Sequence, residues 1–73
     1  MSIGVRVFLE HVGLELIQTR KDLGWTQKRL ADRLGVTEQQ VQKLEASRYA
    51  GARLNTLIRV ARALDQTLDE VHE

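Results

Sequence analysis

Apolar residues recur at Val5, Phe8, Leu9, Val12, Leu16 and Leu23, a spacing that draws one stripe along a helix. Gly13 falls inside that stripe. It leaves two starts open: a helix from near residue 3, or one from Gly13 preceded by an arm over residues 3–11. Ile3, Val5 and Val7 also alternate, which keeps a short strand in the arm as a further alternative. Leu23-Gly24 reads as a helix stop. Thr26 then offers a hydroxyl to the exposed amides of a following turn, and predicts a helix from Gln27 to Leu34 that ends at Gly35. Thr37-Glu38-Gln39-Gln40 matches a capping box, threonine at the N-cap and glutamine three residues on, opening a third helix to about Ser47. Residues 48–53, with Gly51 among them, read as a loop. Asn55 or a neighbour caps a fourth helix that carries Leu57, Ile58, Ala61 and Leu64 on one face, and a last turn from Thr67 to Val71 adds Leu68 and Val71. The predicted class is all-α, a compact bundle of four to five short helices. Residues 1–12 form an arm or an extension of helix 1, and residues 13–73 the domain.

Two short capped helices meeting around Gly35 are the most informative feature. Ala31 is small enough for the second of them to cross closely over the first. Gly35 supplies the positive φ that a sharp turn needs. Leu30, Leu34, Val36, Val41 and Leu44 bury the crossing, so Glu38, Gln39, Gln40, Gln42 and Lys43 are left exposed on the second helix. A helix with a polar outer face of this kind fits a DNA major groove about 12 Å wide.

Composition narrows the alternatives. A chain of 73 residues buries only about 60% of its unfolded surface, so it depends on economical packing or oligomerisation. Cysteine is absent, and the only histidines, His11 and His72, lie at opposite ends, so neither a disulfide nor a metal or other cofactor is expected. No nucleophile-and-base pair, HExxH or glycine-rich phosphate loop is present, and an enzyme is not expected. No apolar run approaches a membrane span and no signal-peptide pattern opens the chain, so a cytoplasmic location is expected. The net charge of +1 conceals a segregation: residues 20–62 carry ten basic against four acidic residues, whereas residues 63–73 carry Asp65, Asp69, Glu70 and Glu73 and no lysine or arginine. A basic middle between acidic ends suits a polyanion on one surface, although a solvated face gives the same pattern.

Residues 24–31 (Gly-Trp-Thr-Gln-Lys-Arg-Leu-Ala), Leu34-Gly35-Val36-Thr37, Val41-Gln42-Lys43-Leu44-Glu45 and residues 57–64 (Leu-Ile-Arg-Val-Ala-Arg-Ala-Leu) together resemble the Cro and phage-repressor type of helix-turn-helix protein, over about residues 13 to 71. The resemblance implies a lambda-repressor-like fold and a transcriptional regulator that binds double-stranded DNA, as a homodimer on a palindromic operator. It implies that Gln27 sits against a phosphate and the edge of the first base pair. Thr37, Glu38, Gln39, Gln40 and Lys43 become the groove-facing set, and Arg53 falls where some members place a basic residue near a compressed minor groove. By their charge, Lys28, Arg48 and Arg53 are also expected to hold phosphates. Arg20 and Glu45 match a partly buried ion pair between the first and third helices. Small relatives of this kind serve as phage repressors or controllers of restriction–modification genes; an antitoxin or a protein-binding adaptor is the alternative on the same fold. The loop lacks the proline that many relatives carry, which weakens the match at Arg53.

A glutamine amide can pair with adenine in bidentate fashion, and Gln39 is the first choice for that contact. Lys43 suits guanine or a phosphate. Glu38 either accepts from a cytosine amino group or stabilises its own helix N-terminus. Trp25 is expected to close the core rather than anchor an interface, and Tyr49 either reaches a phosphate or caps the loop. Val5, Phe8 and Leu9, with Leu64, Leu68 and Val71, either form a dimer interface or extend helix 1 over the core.

Overall fold

The structure, a computed structural model, describes the backbone of residues 3–72 and the side chains of residue 4 and residues 7–65. Four helices follow one another: α1 (Ile3–Asp22), α2 (Gln27–Leu34), α3 (Glu38–Ala46) and α4 (Leu54–His72), with no strand among the described residues. The fold class is all-α, as the periodicity predicts. α2 packs on α3 and α4, and α1 packs on α4.

α1 runs unbroken through Gly13, so residues 3–11 extend it and the separate arm and the strand are not realised. Its inner face continues without a gap through Leu9, Val12, Gly13, Leu16 and Arg20, and Gly13 has a different use from a helix start. A Cβ on Gly13 would lie 2.0 Å from the carbonyl oxygen of Arg48 and 3.3 Å from Cβ of Tyr49. The missing side chain lets α1 press its backbone against the loop that follows α3.

Three helices end alike. After α1, the amide of Trp25 donates to the carbonyl of Arg20 and that of Gly24 to Lys21; after α2, Val36 donates to Ala31 and Gly35 to Asp32. These paired bonds satisfy carbonyls that a helix end leaves open, and they need one residue in the left-handed region. Gly35 takes it at φ 73. After α3 the same bonds run from Tyr49 to Leu44 and from Arg48 to Glu45. Here the left-handed residue is Arg48, at φ 55, and Tyr49 follows at φ 60.

α4 begins at Leu54, with the carbonyl of Arg53 accepting from the Leu57 amide at 3.2 Å. Arg53 therefore holds the cap position, two residues before Asn55, because the turn closed by Ala52 N–H on the Tyr49 carbonyl releases the chain just before it. The expected fifth helix merges into α4: no glycine or proline follows Gly51 to break it.

The core is Leu16, Trp25, Leu30, Ala31, Val41, Tyr49, Leu57, Val60, Ala63 and Leu64. Ala31, in α2, is almost fully buried. Leu64, read both on the apolar face of the fourth helix and as one alternative for a dimer contact, is among the most buried residues at 2% exposure and belongs to the core. Phe8, at 64%, and Leu54, at 68%, are the most exposed large apolar side chains described. The side chains of Val5, Leu68 and Val71 lie outside the described residues.

Candidate nucleic-acid interface

What holds α3 in place is a charged cluster under its inner face. Arg20 reaches from α1 to Glu45 on α3 through two bonds, Nε to Oε2 at 2.6 Å and Nη2 to Oε1 at 2.9 Å. Its Nη1 donates to the carbonyl of Trp25 at 2.6 Å. Gln27, at the start of α2, adds a bond from Nε2 to Glu45 Oε1 at 2.9 Å. One buried carboxylate thus ties α1, α2 and α3 together, and all three guanidinium nitrogens of Arg20 find an acceptor, which offsets the cost of burying the charge. The ion pair implied for Arg20 and Glu45 is present, and more completely buried than the resemblance implies.

Tyr49 roofs this cluster. Its ring is buried in the core, so its hydroxyl is no exposed phosphate ligand. Burial pushes its phenol up to about 12; the Glu45 carboxylate adds to the rise, and Arg20 opposes it. Because the folded value lies above the unfolded value near 10, the stabilising contribution is complete below pH 10 and is lost as pH rises through 12. Urea midpoints are expected to fall across that interval, by up to roughly 2 kcal/mol in stability, and Tyr49→Phe is expected to remove most of the decline. An equal decline in the phenylalanine variant would place its origin elsewhere, in the lysines.

With Val41 and Glu45 turned inward, helical spacing turns Gln39, Gln42, Lys43 and Ala46 outward, and these four line one shallow surface depression. Gln39 makes no side-chain hydrogen bond among the described residues, so its amide oxygen and nitrogen are both available. Gln42 belongs to this central stripe as well. It was legible as exposed, and the spacing 39, 42, 43, 46 is the signal that places it beside Gln39.

Thr37 and Gln40 stand differently. The Thr37 hydroxyl accepts from the Gln40 amide at 3.1 Å, and Gln40 Oε1 accepts from the Thr37 amide at 2.9 Å. The predicted capping box is present, and it occupies the oxygen that Gln40 needs for a bidentate adenine pair. Gln27 is likewise drawn inward by Glu45, keeping one amide proton free. Glu38 is exposed in the first turn of α3, where a negative charge meets the positive end of the helix dipole.

Of the basic residues expected on phosphates, Lys28 makes an exposed pair with Asp32 at 3.0 Å, an interaction weak enough for a competing anion to displace. Arg48 and Arg53 are exposed and make no ion pair among the described residues. Trp25 is in the core, with the guanidinium of Arg29 4.4 Å above its ring. No described helix is long and apolar enough to cross a membrane, and no described group of side chains could hold a metal.

Comparison with known proteins agrees with this geometry. The profile of the helix-turn-helix family matches residues 16–71. An uncharacterized HTH-type transcriptional regulator of Methanothermobacter thermautotrophicus is 51% identical over 45 residues, 62% of this chain and 64% of that protein. The chain thus aligns with somewhat less than two thirds of that relative. No solved structure matches. By the extent of the profile match and the motif residues that carry it, the chain belongs to the helix-turn-helix family, in its Cro and phage-repressor type.

Proposed function

We propose that this protein is a small transcriptional regulator that binds double-stranded DNA sequence-specifically, with α3 in the major groove. The observation that carries the reading is the outer stripe Gln39, Gln42 and Lys43, unengaged by the fold, on a helix whose inner face is pinned by Arg20 and Glu45. Gln39 reads an adenine and Lys43 a guanine or a phosphate. Thr37, through its hydroxyl proton, and Gln27 and Gln40, through their remaining amide protons, act at the groove edge. Lys28, Arg48 and Arg53 hold phosphates and set the register without reading sequence. The relative's description as a transcriptional regulator supports the same role.

Gln39→Ala is expected to weaken the preferred duplex by about 1–3 kcal/mol and to relax preference at one base pair. Arg53→Ala is expected to weaken all duplexes alike and to lower the slope of log affinity against log salt by about one. Anisotropy titrations on preferred and scrambled duplexes at two salt concentrations separate the two effects. Parent-like behaviour of both variants would remove this face from the interface.

Arg48 carries a second consequence. Its left-handed backbone costs about 1–2 kcal/mol relative to glycine, and glycine fills the equivalent place after α1 and α2. We read the arginine as kept for its charge. Arg48→Gly is expected to raise stability by about 1 kcal/mol in urea while weakening DNA binding and its salt dependence. A variant both more stable and equal in DNA affinity would leave Arg48 without a phosphate role.

The assembly that suits a palindromic operator is a homodimer whose two α3 helices lie about 34 Å apart. Phe8, Leu54 and Ile58, exposed at 64%, 68% and 40%, are its apolar contact residues. The same exposed residues favour a second reading, an antitoxin or adaptor that covers them with another protein. Sedimentation at tens of micromolar separates the two, since a monomer would leave those residues to a different partner.

A further inference from the structure

A cavity of about 460 Å³ opens between α3, the loop after it and the first turns of α4. Its volume lies in the ~300–1,000 Å³ range of small-molecule sites. Leu34, Val36 and Leu44 supply apolar lining, Lys43 and Arg59 the charge, and no carboxylate lines it. Arg59 donates from Nη2 to the carbonyl of Leu34 at 2.8 Å, which holds its guanidinium beside α2 and leaves other N–H groups for an acceptor. Lys43 has no ion-pair partner among the described residues. Thr56 adds a hydroxyl from α4. An apolar lining with two cations and no anion is complementary to one kind of molecule: a compact hydrophobic body bearing a single negative group.

We propose that this cavity binds a small organic acid, its apolar body on the leucine and valine side chains and its carboxylate neutralised by Lys43 and Arg59, and that the bound acid opposes DNA binding. The opposition rests on the function proposed above, because Lys43 also lies on the outer stripe of α3. An acid there withdraws one cation from the DNA and sets a negative charge beside the phosphates. The protein then releases its operator when the acid accumulates.

The probe is 1-naphthoate, with 1-naphthalenemethanol as its uncharged counterpart, and backbone amide NMR shifts of the full chain as the readout. Saturable shifts clustered around the lining residues are expected, with at least tenfold weaker binding of the alcohol. Thr56→Leu, which fills the cavity from α4, is expected to weaken naphthoate at least tenfold while the spectrum stays dispersed. Arg59→Gln is expected to weaken naphthoate at least fivefold and leave the alcohol unchanged. Saturating naphthoate is expected to lower affinity for the selected duplex at least fivefold relative to equimolar acetate, and Thr56→Leu to abolish that effect while binding the duplex as the parent does. Shifts that fail to saturate, or equal affinity for acid and alcohol, would overturn the site. Saturation with no loss of DNA affinity would overturn the regulation. A chain that takes up naphthoate in this pattern yet binds no duplex would sink the DNA reading and uphold the acid site.

Discussion

Glu45→Ala is expected to cost the fold about 3–5 kcal/mol, the usual penalty for removing one partner of a buried ion pair. The carboxylate accepts from Arg20 twice and from Gln27 once, at 2.6 to 2.9 Å. Without it the Arg20 guanidinium remains buried with only the Trp25 carbonyl as acceptor. At about 0.05–0.15 kcal/mol per residue, a chain of 73 residues has about 4–11 kcal/mol in all, so the loss is a large share of it. The loss is mainly the cost of the stranded charge, and that makes a distinguishing control possible. The double variant Arg20→Met with Glu45→Leu strands no charge, although the Trp25 carbonyl and the Gln27 amide lose a partner, and is expected to recover much of the stability. Trp25, the sole tryptophan and one buried beside the cluster, reports both transitions by fluorescence in urea. If Glu45→Ala cost under 1 kcal/mol, the cluster would not be what holds α3.

Gly13→Ala is expected to destabilise by about 2 kcal/mol, against the gain of up to about 1 kcal/mol that alanine normally brings to a helix. The sign turns on one distance. The new Cβ would fall 2.0 Å from the Arg48 carbonyl oxygen, and a backbone atom cannot swing aside as a side-chain tip can. Either α1 lifts from the loop or the loop shifts, and the loop carries Arg48, Tyr49 and the approach to Arg53. The variant is therefore expected to lose DNA affinity also, by displacement of phosphate contacts. Gly4→Ala, on an exposed position of the same helix, is the comparison that isolates the clash. A stabilised Gly13→Ala would show that the close approach of α1 to the loop is absent.

The helix-turn-helix unit was open to sequence reading because its signals are local. Thr26, Gly35, Thr37 and Gln40 act within one turn of their own position, and each has the predicted bond or backbone angle. Gly13 was misleading for the opposite reason: its partner is Arg48, 35 residues away, and a close approach leaves no periodic trace. The end of α3 near Ser47 was legible, but its left-handed cap was opaque, since arginine stands where two earlier helices have glycine. Within the proposed DNA-binding face, composition identified the polar residues of α3 without showing which were already engaged. The capping box takes Gln40, the Glu45 cluster takes Gln27, and the stripe left over includes Gln42. Exposed Ile58 and buried Leu64 share one apolar pattern along α4, and the packing of α1 and α2 on that helix decides between them.

The most direct test of the central claim is selection of duplexes from a random double-stranded pool at near-physiological salt, followed by anisotropy at two salt concentrations. Binding through α3 as a dimer predicts an enriched palindrome with half-sites one helical turn apart and an affinity that falls steeply with salt. Sequence-blind binding, or none, would contradict it.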